Sequence, residues 1–183
     1  DQADVLTSFP VTPLRMPMAM YMAGVMYAPT DRVTLMGMVP VLRASMDHRT
    51  RRGGKFTTTS GGTGDVRVSA LVGVLDTARQ RLHLNLGLSA PTGSIDERDD
   101  TPMATNARLP YPMQIGSGTW DVLPGLTYLW QTDDWSWGAQ GIGTLRLGKN
   151  QNNDTLGHRF ASTGWLSRLL SDEASVSVRL ALD

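Results

Sequence analysis

The sequence predicts an all-β fold, an antiparallel up-and-down transmembrane β-barrel, and three observations predict it. Apolar and polar residues alternate along most of the chain, as they do in strands with one apolar and one polar face. The connections between the alternating runs are short and long in a regular order, which is typical of outer-membrane barrels. Tyrosine and tryptophan lie near the short connections, where amphipathic rings meet lipid headgroups.

Eight alternating runs are candidate strands. The clearest is residues 81–90, in which leucine occupies every second position from Leu82 to Leu88. A period of two places these leucines on one face of a strand and the residues between them on the other. In chain order, the predicted strands are residues 15–28, 32–46, 64–76, 80–91, 117–131, 135–149, 157–170 and 174–182.

The connections between these strands predict which end of the barrel is which. The short connections are residues 28–32, 76–80, 131–134 and 170–173. The longer connections, rich in Gly, Ser, Thr, Asn, Asp and Pro, are residues 47–63, 92–116 and 150–156. Outer-membrane barrels have short periplasmic turns and longer extracellular loops, so the end with short turns is predicted to be periplasmic.

Five aromatic residues near the short turns are predicted to form a girdle at the membrane–water interface. They are Tyr27, Tyr128, Trp130, Trp135 and Trp137. Rings with a polar edge prefer this boundary because one side of the ring is apolar and the other is wet. The alternative interpretation is that these rings cap the core of a soluble protein.

Composition excludes several function classes. The formal net charge is zero, from 17 basic and 17 acidic residues, so nucleic acid is not an expected partner. There is no cysteine, which excludes disulfides and Cys-based metal sites or nucleophiles. His48, His83 and His158 lack metal-ligand spacing. We therefore expect no enzyme activity, no metal and no cofactor.

The length of 183 residues suits one domain, predicted here as a single β-barrel domain spanning residues 1–183. No run approaches about eighteen consecutive apolar residues, so no transmembrane helix is predicted. The chain begins without a signal peptide and stops at Asp183 within an alternating run. We expect a piece of a larger barrel that lacks its first and last strands.

Methionine repeats at every second position early in the chain, where it is a candidate lining of the barrel lumen. The residues concerned are Met16, Met18, Met20, Met22, Met36 and Met38. Three interpretations are open: flexible packing of an irregular interior, an adaptable greasy track for an apolar solute, and soft thioether ligation of a metal such as Cu(I).

The remaining lumen candidates are polar and lie on the face opposite the Val and Leu rows. They are Arg67, Arg81, His83, Asn85, Asp121, Gln140 and Arg146. Charged side chains inside a barrel either pair with one another or set the selectivity of a water path. The sequence leaves both roles open.

Several separate motifs resemble the outer-membrane family named after the meta-pathway of phenol degradation. They lie at residues 26–36, 45–48, 64–68, 84–95 and 116–128. The most specific begins Gly116-Ser117-Gly118-Thr119-Trp120-Asp121-Val122-Leu123-Pro124-Gly125. The resemblance implies a barrel in the outer membrane of a Gram-negative bacterium that passes small apolar or aromatic compounds.

The expected function is passive or facilitated transport of small, apolar or aromatic solutes through an outer-membrane β-barrel. Its expected partners are outer-membrane lipid and a small-molecule solute; the oligomeric state is not predicted. The alternatives are a structural or binding barrel with a plugged lumen, a Met-lined copper passage, and a soluble lipocalin-like protein with an apolar ligand inside.

Overall fold

A computed structural model describes residues 9–182 and contains twelve β-strands. The strands are β1 (Val11–Arg15), β2 (Met18–Thr30), β3 (Val33–Thr50), β4 (Lys55–Thr63), β5 (Val66–Asp76), β6 (Gln80–Ala90), β7 (Arg98–Thr101), β8 (Ala104–Arg108), β9 (Trp120–Gln131), β10 (Trp135–Leu147), β11 (Arg159–Ser171) and β12 (Ala174–Leu182). One turn of 3-10 helix spans Tyr111–Met113. No helix in residues 9–182 is long and apolar enough to cross a membrane.

Ten of these strands form one sheet, in which β1–β3, β3–β4, β3–β5, β6–β9, β9–β10, β10–β11 and β11–β12 are antiparallel pairs. The order is β1-β3-β5-β6-β9-β10-β11-β12, with β2 and β4 also paired to β3. β7 and β8 form a separate hairpin. The predicted antiparallel all-β fold is confirmed. Within residues 9–182 no sheet closes into a barrel, so the closed transmembrane barrel stays a prediction.

Each predicted strand coincides with an observed strand, but three boundaries were wrong. The run 15–28 is not one strand: Arg15 is the last residue of β1, Met16 and Pro17 lie between strands, and β2 begins at Met18. Residues 47–63 are not a loop: β3 continues to Thr50, a short turn follows, and β4 returns along it. The segment 92–116 is folded and contains the β7–β8 hairpin and the 3-10 turn.

The described chain divides into two compact units. Unit 1 comprises residues 9–23, 39–66 and 91–118, and unit 2 comprises residues 24–38, 67–90 and 119–182. The prediction of a single domain over residues 1–183 is not tested by this division and stays a prediction.

In unit 2 the strand register places the apolar rows on one face of the sheet. Leu84 lies opposite Leu126, and Trp137 lies opposite both Trp130 and Leu166. Paired residues in an antiparallel ladder share a face, so these side chains and their i±2 neighbours form one continuous surface. We name this surface the apolar face. We name the opposite side of unit 2 the polar face, because most of the polar residues predicted to line the lumen lie on it.

In unit 1 a small core lies between the β3–β4 hairpin and the folded segment 92–117. Ala44 and Met46 of β3 pack with Leu109 and Met113, and Met113 is completely buried. The hydroxyl of Thr58 on β4 donates to the Met113 sulfur at 3.2 Å. The segment therefore packs onto one face of the hairpin.

Candidate functional site

The strand register brings several predicted lumen residues together on the polar face of unit 2. His83 on β6 lies opposite Thr127 on β9, and Thr127 lies opposite Gln140 on β10. The Gln140 amide donates to the Thr127 hydroxyl at 2.9 Å. A row of polar side chains therefore crosses three neighbouring strands, and His83 also lines a polar cavity of about 100 Å³.

The other polar candidates of unit 2 are placed separately. Asn85 lies opposite Gly125 and donates to the backbone carbonyl of Leu123 at 3.2 Å. Arg67 is exposed and lies opposite Met38. Arg81 pairs with Asp76 at 3.2 Å on the surface. Whether this face lines a lumen stays a prediction.

A buried ion pair is the strongest polar contact on this face. The Arg146 guanidinium donates to the Asp121 carboxylate at 2.8 Å, and the two side chains are only 15% and 4% exposed. The Thr119 hydroxyl donates to the other Asp121 oxygen at 2.7 Å. Nδ1 of His158 accepts the backbone N–H of Arg146 at 3.1 Å. These bonds give the Asp121 carboxylate two donors, whereas Arg146 Nε is buried without a hydrogen-bond partner in residues 9–182. The ion pair joins β9 to β10 across the ladder.

The predicted methionines fall in different surroundings. In unit 1, Met16 packs against the core, whereas Met18, Met20 and Met22 are exposed on β2. Met18 lines an open cavity of about 920 Å³ formed with segments of β3 and β4. Packing therefore accounts for Met16 only; the greasy-track and Cu(I) interpretations of the other methionines stay predictions.

Unit 2 contains the remaining methionine candidates, which lie on the polar face. Met36 lies opposite Ser69, and Met38 lies opposite Arg67. A Cβ on Gly24 would lie 3.4 Å from Cγ of Met38, so Gly24 of β2 points to this same face. Met26, two residues further along β2, therefore shares the face with Met36 and Met38.

The predicted interface aromatics contact one another on the apolar face. The ring centroids of Tyr128 and Trp137 lie 5.3 Å apart, and those of Trp130 and Trp137 lie 6.4 Å apart. The Arg168 guanidinium lies 5.1 Å from the Trp135 ring centroid. Tyr27 is exposed and lines a shallow groove of the same face. That these rings meet lipid headgroups stays a prediction.

One aromatic residue on the opposite face was missed. Trp165 lies opposite Gly138 and Arg179 in the ladder, with the Arg179 guanidinium 5.9 Å from its ring centroid. A side chain on Gly138 would overlap the Trp165 ring, so the glycine makes room for it. A period of two places Phe160 and Leu166 on one face of β11 and Trp165 on the other. This pattern was the sequence signal that could have predicted the position of Trp165.

A clamp built on Asp65 in unit 1 was also missed. One Asp65 oxygen accepts the N–H of Gly93 at 3.0 Å, and the other accepts the N–H of Ser117 at 2.8 Å. Thr92 donates to the Gly64 carbonyl at 3.0 Å and accepts the Val66 N–H at 2.9 Å. The clamp thus holds both ends of the segment 92–117 at the β4–β5 connection.

The β7 strand is held to the free edge of β4 by a second carboxylate. Asp99 accepts the backbone N–H of Thr59 at 2.7 Å and the Thr59 hydroxyl at 3.2 Å. The two bonds from Thr59 lower the pKa of Asp99 from its ordinary value of 3.8, and the bond from the backbone N–H contributes most. Edge strands left bare invite pairing with other chains, so Asp99 also protects this edge.

We expect Asp99→Asn to loosen β7 from β4. Because the folded-state pKa is lowered, the stabilisation by Asp99 is complete above its ordinary value of 3.8 and is lost as the pH falls through the lower folded value. Hydrogen exchange of the Thr59 amide should be about tenfold faster in the variant at neutral pH, and the difference should shrink in acid.

The control for this prediction is Asp96→Asn. Asp96 also has a lowered pKa, first because of its hydrogen bond with Arg98, but it pairs within its own segment and makes no bond to Thr59. Exchange at Thr59 should therefore not change in the control. Equal acceleration in both variants would contradict the proposed role of Asp99.

Comparison with known proteins agrees with the motifs. The model of the family described as "Putative MetA-pathway of phenol degradation" matches residues 21–177. No curated protein matches the chain. The matched region contains the buried ion pair, the Asp65 clamp and both ends of the segment 92–117. Because the match covers most of its length, the chain belongs to this phenol-degradation pathway family.

Proposed function

We propose that the chain is part of an outer-membrane β-barrel of a Gram-negative bacterium, through which small apolar or aromatic solutes cross. The observation that carries the proposal is the apolar face of unit 2. Its exposed side chains include Val68, Val74, Leu86, Leu126, Leu147, Leu166, Val178 and Leu180. Soluble monomers rarely expose contiguous apolar patches larger than a few hundred Å². Lipid is the solvent that suits such a face.

The open sheet adds a requirement to this proposal. β12 pairs only with β11 among the described strands. In hydrocarbon, unpaired backbone N–H and C=O groups cost several kcal/mol each, so a membrane sheet leaves no free edge. In the membrane, we therefore expect the free edge of β12 to be paired with another strand.

Met18 and the cavity in unit 1 support the proposed solute class. The cavity of about 920 Å³ lies within the size range of small-molecule sites, and the flexible Met18 lies in its wall. Such a wall adapts to apolar and aromatic solutes of different shape. The proposal assigns no catalysis, metal or cofactor to the chain.

A barrel with a plugged lumen is a second candidate, and a specific observation favours it. The segment 92–117 is clamped at both ends by Asp65 and packs onto the β3–β4 hairpin through Met113 and Leu109. A mobile extracellular loop would have neither anchor. A fixed segment of this kind obstructs a channel if it lies in the path of the solute.

Two single substitutions to arginine, at neighbouring positions of β12, test whether the apolar face contacts lipid. Val178 and Ser177 are both exposed and lie on opposite faces of the strand. In water neither Val178→Arg nor Ser177→Arg should cost much stability. In a bilayer, Val178→Arg should lower the free energy of unfolding by about 2–4 kcal/mol, because its charge would lie in hydrocarbon.

The measurement is urea unfolding of the full chain folded into phospholipid vesicles, followed by tryptophan fluorescence. A cost for Val178→Arg no larger than for Ser177→Arg would contradict membrane insertion. Entry of a small aromatic solute into the same vesicles tests transport separately. Insertion without flux above protein-free vesicles would support the plugged barrel over the channel.

A further inference from the structure

The turn between β3 and β4 concentrates positive charge at the tip of their hairpin. The whole chain has no net charge, yet four cationic residues and no acidic residue lie within residues 49–55; they are Arg49, Arg51, Arg52 and Lys55. All four are exposed. We name this patch the basic tip, and it belongs neither to the apolar face nor to the Asp65 clamp.

Hydrogen bonds and a ring stack order the basic tip. The Thr50 N–H and hydroxyl both donate to the Gly54 carbonyl, at 2.8 and 3.2 Å, and the Gly53 N–H donates to the Thr50 carbonyl at 2.9 Å. Gly53 has a φ of +87°, which glycine adopts without strain. Further down the hairpin, His48 stacks on its ladder partner Phe56, with ring centroids 4.7 Å apart. The cations therefore project from a defined turn.

Two of the cations face each other directly. Arg49 lies opposite Lys55 in the β3–β4 ladder, and like charges at directly opposed positions destabilise a sheet. Neither side chain forms an ion pair within residues 9–182. Asp47, which lies two residues before Arg49 on the same face, accepts the Thr57 hydroxyl at 2.7 Å. An anion from outside the described chain would remove the repulsion between the two cations.

The spacing and charge of this pair select the kind of anion. The Cβ atoms of directly opposed residues lie about 4.5–5.5 Å apart, so the ends of Arg49 and Lys55 can close on one small group. A guanidinium binds two phosphate oxygens at once, and an ammonium binds phosphate as a point charge. A phosphomonoester carries about −1.5 to −2 charge at pH 7 and so balances two cations. A phosphodiester, with a single negative charge, balances only one of them.

The length of β3 places the basic tip outside the hydrocarbon of a bilayer. β3 contains 18 residues, whereas a tilted strand crosses the hydrocarbon with about 9–11 residues. The short turn before Val33 lies at the end predicted to be periplasmic, so the last residues of β3 emerge from the outer leaflet. In Gram-negative bacteria, the phosphomonoesters of that leaflet belong to lipopolysaccharide.

We propose that the basic tip binds the phosphomonoester groups of lipopolysaccharide, with Arg49 and Lys55 on one phosphate and Arg52 adding a further cation. Binding removes the repulsion within the Arg49–Lys55 pair, so the bound phosphate stabilises the hairpin. The place of this contact in the outer leaflet rests on the proposed function, whereas the binding of phosphate by the basic tip does not.

The test is calorimetric titration of the full chain, folded in an uncharged detergent, with lipopolysaccharide and with lipopolysaccharide dephosphorylated by a phosphatase. The native glycolipid should bind to the parent chain about tenfold or more tightly than the dephosphorylated form. Each cation near an anionic lipid surface contributes about fivefold in affinity, so Arg49→Gln/Lys55→Gln should weaken binding of the native form about 25-fold. Added salt should weaken it further in the parent than in this variant.

Two other variants separate binding from folding. Lys149→Gln/Arg159→Gln removes two exposed cations beside the β10–β11 connection, changes the net charge equally and should leave the affinity unchanged. Arg49→Glu places a carboxylate opposite Lys55. It should slow hydrogen exchange of the Thr50 amide, because opposite charges stabilise a ladder pair, and it should abolish the preference for the native glycolipid.

Equal binding of native and dephosphorylated lipopolysaccharide, or equal losses in the two double variants, would overturn the proposal. So would inorganic phosphate or dextran sulfate binding as tightly as lipopolysaccharide, because the basic tip would then accept any anion. Binding in detergent without the membrane insertion tested by Val178→Arg would leave the phosphate site standing and refute its place in the outer leaflet. Insertion without binding would refute the site and leave the proposed function.

Discussion

Replacing Arg146 with methionine should lower the free energy of unfolding by about 3–5 kcal/mol. The substitution keeps much of the side-chain stem but removes the cation that pairs with Asp121. The Asp121 carboxylate, 4% exposed, would keep its bond from Thr119 but lose its countercharge. An uncompensated buried charge is one of the few changes whose cost reaches this size.

Arg81→Met is the matched control for this prediction. Arg81 makes the same type of pair with Asp76 at 3.2 Å, but the two side chains are 52% and 72% exposed. A pair in water contributes about 0–1 kcal/mol, since solvent already stabilises both charges. The contrast between the two variants therefore isolates the effect of burial.

The double variant Asp121→Asn/Arg146→Met removes both charges and leaves an amide that still accepts from Thr119. We expect it to recover more than half of the stability lost in Arg146→Met, because no buried charge remains. The free energies come from urea titration of the full chain in lipid vesicles, followed by fluorescence of its five tryptophans. A cost for Arg146→Met as small as that for Arg81→Met would refute the importance of the buried pair.

The faces of the strands in unit 2 were predictable because short turns join most of them. Once a turn is fixed, the register follows, and a period of two decides which side each residue takes. Leu84 and Leu126, or Trp130 and Trp137, are thus paired as their alternation indicates. Asp121 and Arg146 were both predicted to line the lumen. Their contact was not predicted, because it depends on the register of the whole β9–β10 hairpin.

The folded parts of unit 1 were harder to predict from the chain alone. β4 contains Thr57, Thr58 and Thr59 in succession, so it lacks the apolar alternation that marks the other strands. Its threonines are β-branched and so favour a strand. The Gly, Ser and Thr content of the segment instead led to its prediction as a loop. The Asp65 clamp joins residues 28 and 52 positions apart, and no local pattern encodes such a contact.

Gly116→Ala should open the Asp65 clamp at a cost of about 3 kcal/mol. A Cβ on Gly116 would overlap the carbonyl of Gly93, and a Cβ on Gly93 would lie 2.6 Å from Cα of Gly116. The obstacle is backbone and not the end of a flexible side chain. The backbone segments at Gly93 and Gly116 must therefore move apart. Asp65 then loses one or both of its amide donors.

Gly62→Ala is the control, because a Cβ at Gly62 meets nothing within 4 Å. Alanine there should be neutral or slightly stabilising, as glycine weakens a strand. Asp65→Asn provides a second way to weaken the clamp without crowding, since one acceptor oxygen remains. In both clamp variants the Gly93 and Ser117 amides should exchange faster, while the Gly62 variant should match the parent.

Flux through vesicles containing these variants decides between the channel and the plugged barrel. If the segment 92–117 obstructs the solute, then releasing it through Gly116→Ala or Asp65→Asn should raise solute entry, and Gly62→Ala should not. If entry is unchanged although the amides exchange faster, the segment does not obstruct the path and the plugged barrel is refuted. The Asp65 clamp would then serve to hold the β3–β4 hairpin and its cover together, which the loss of stability in the same variants would measure.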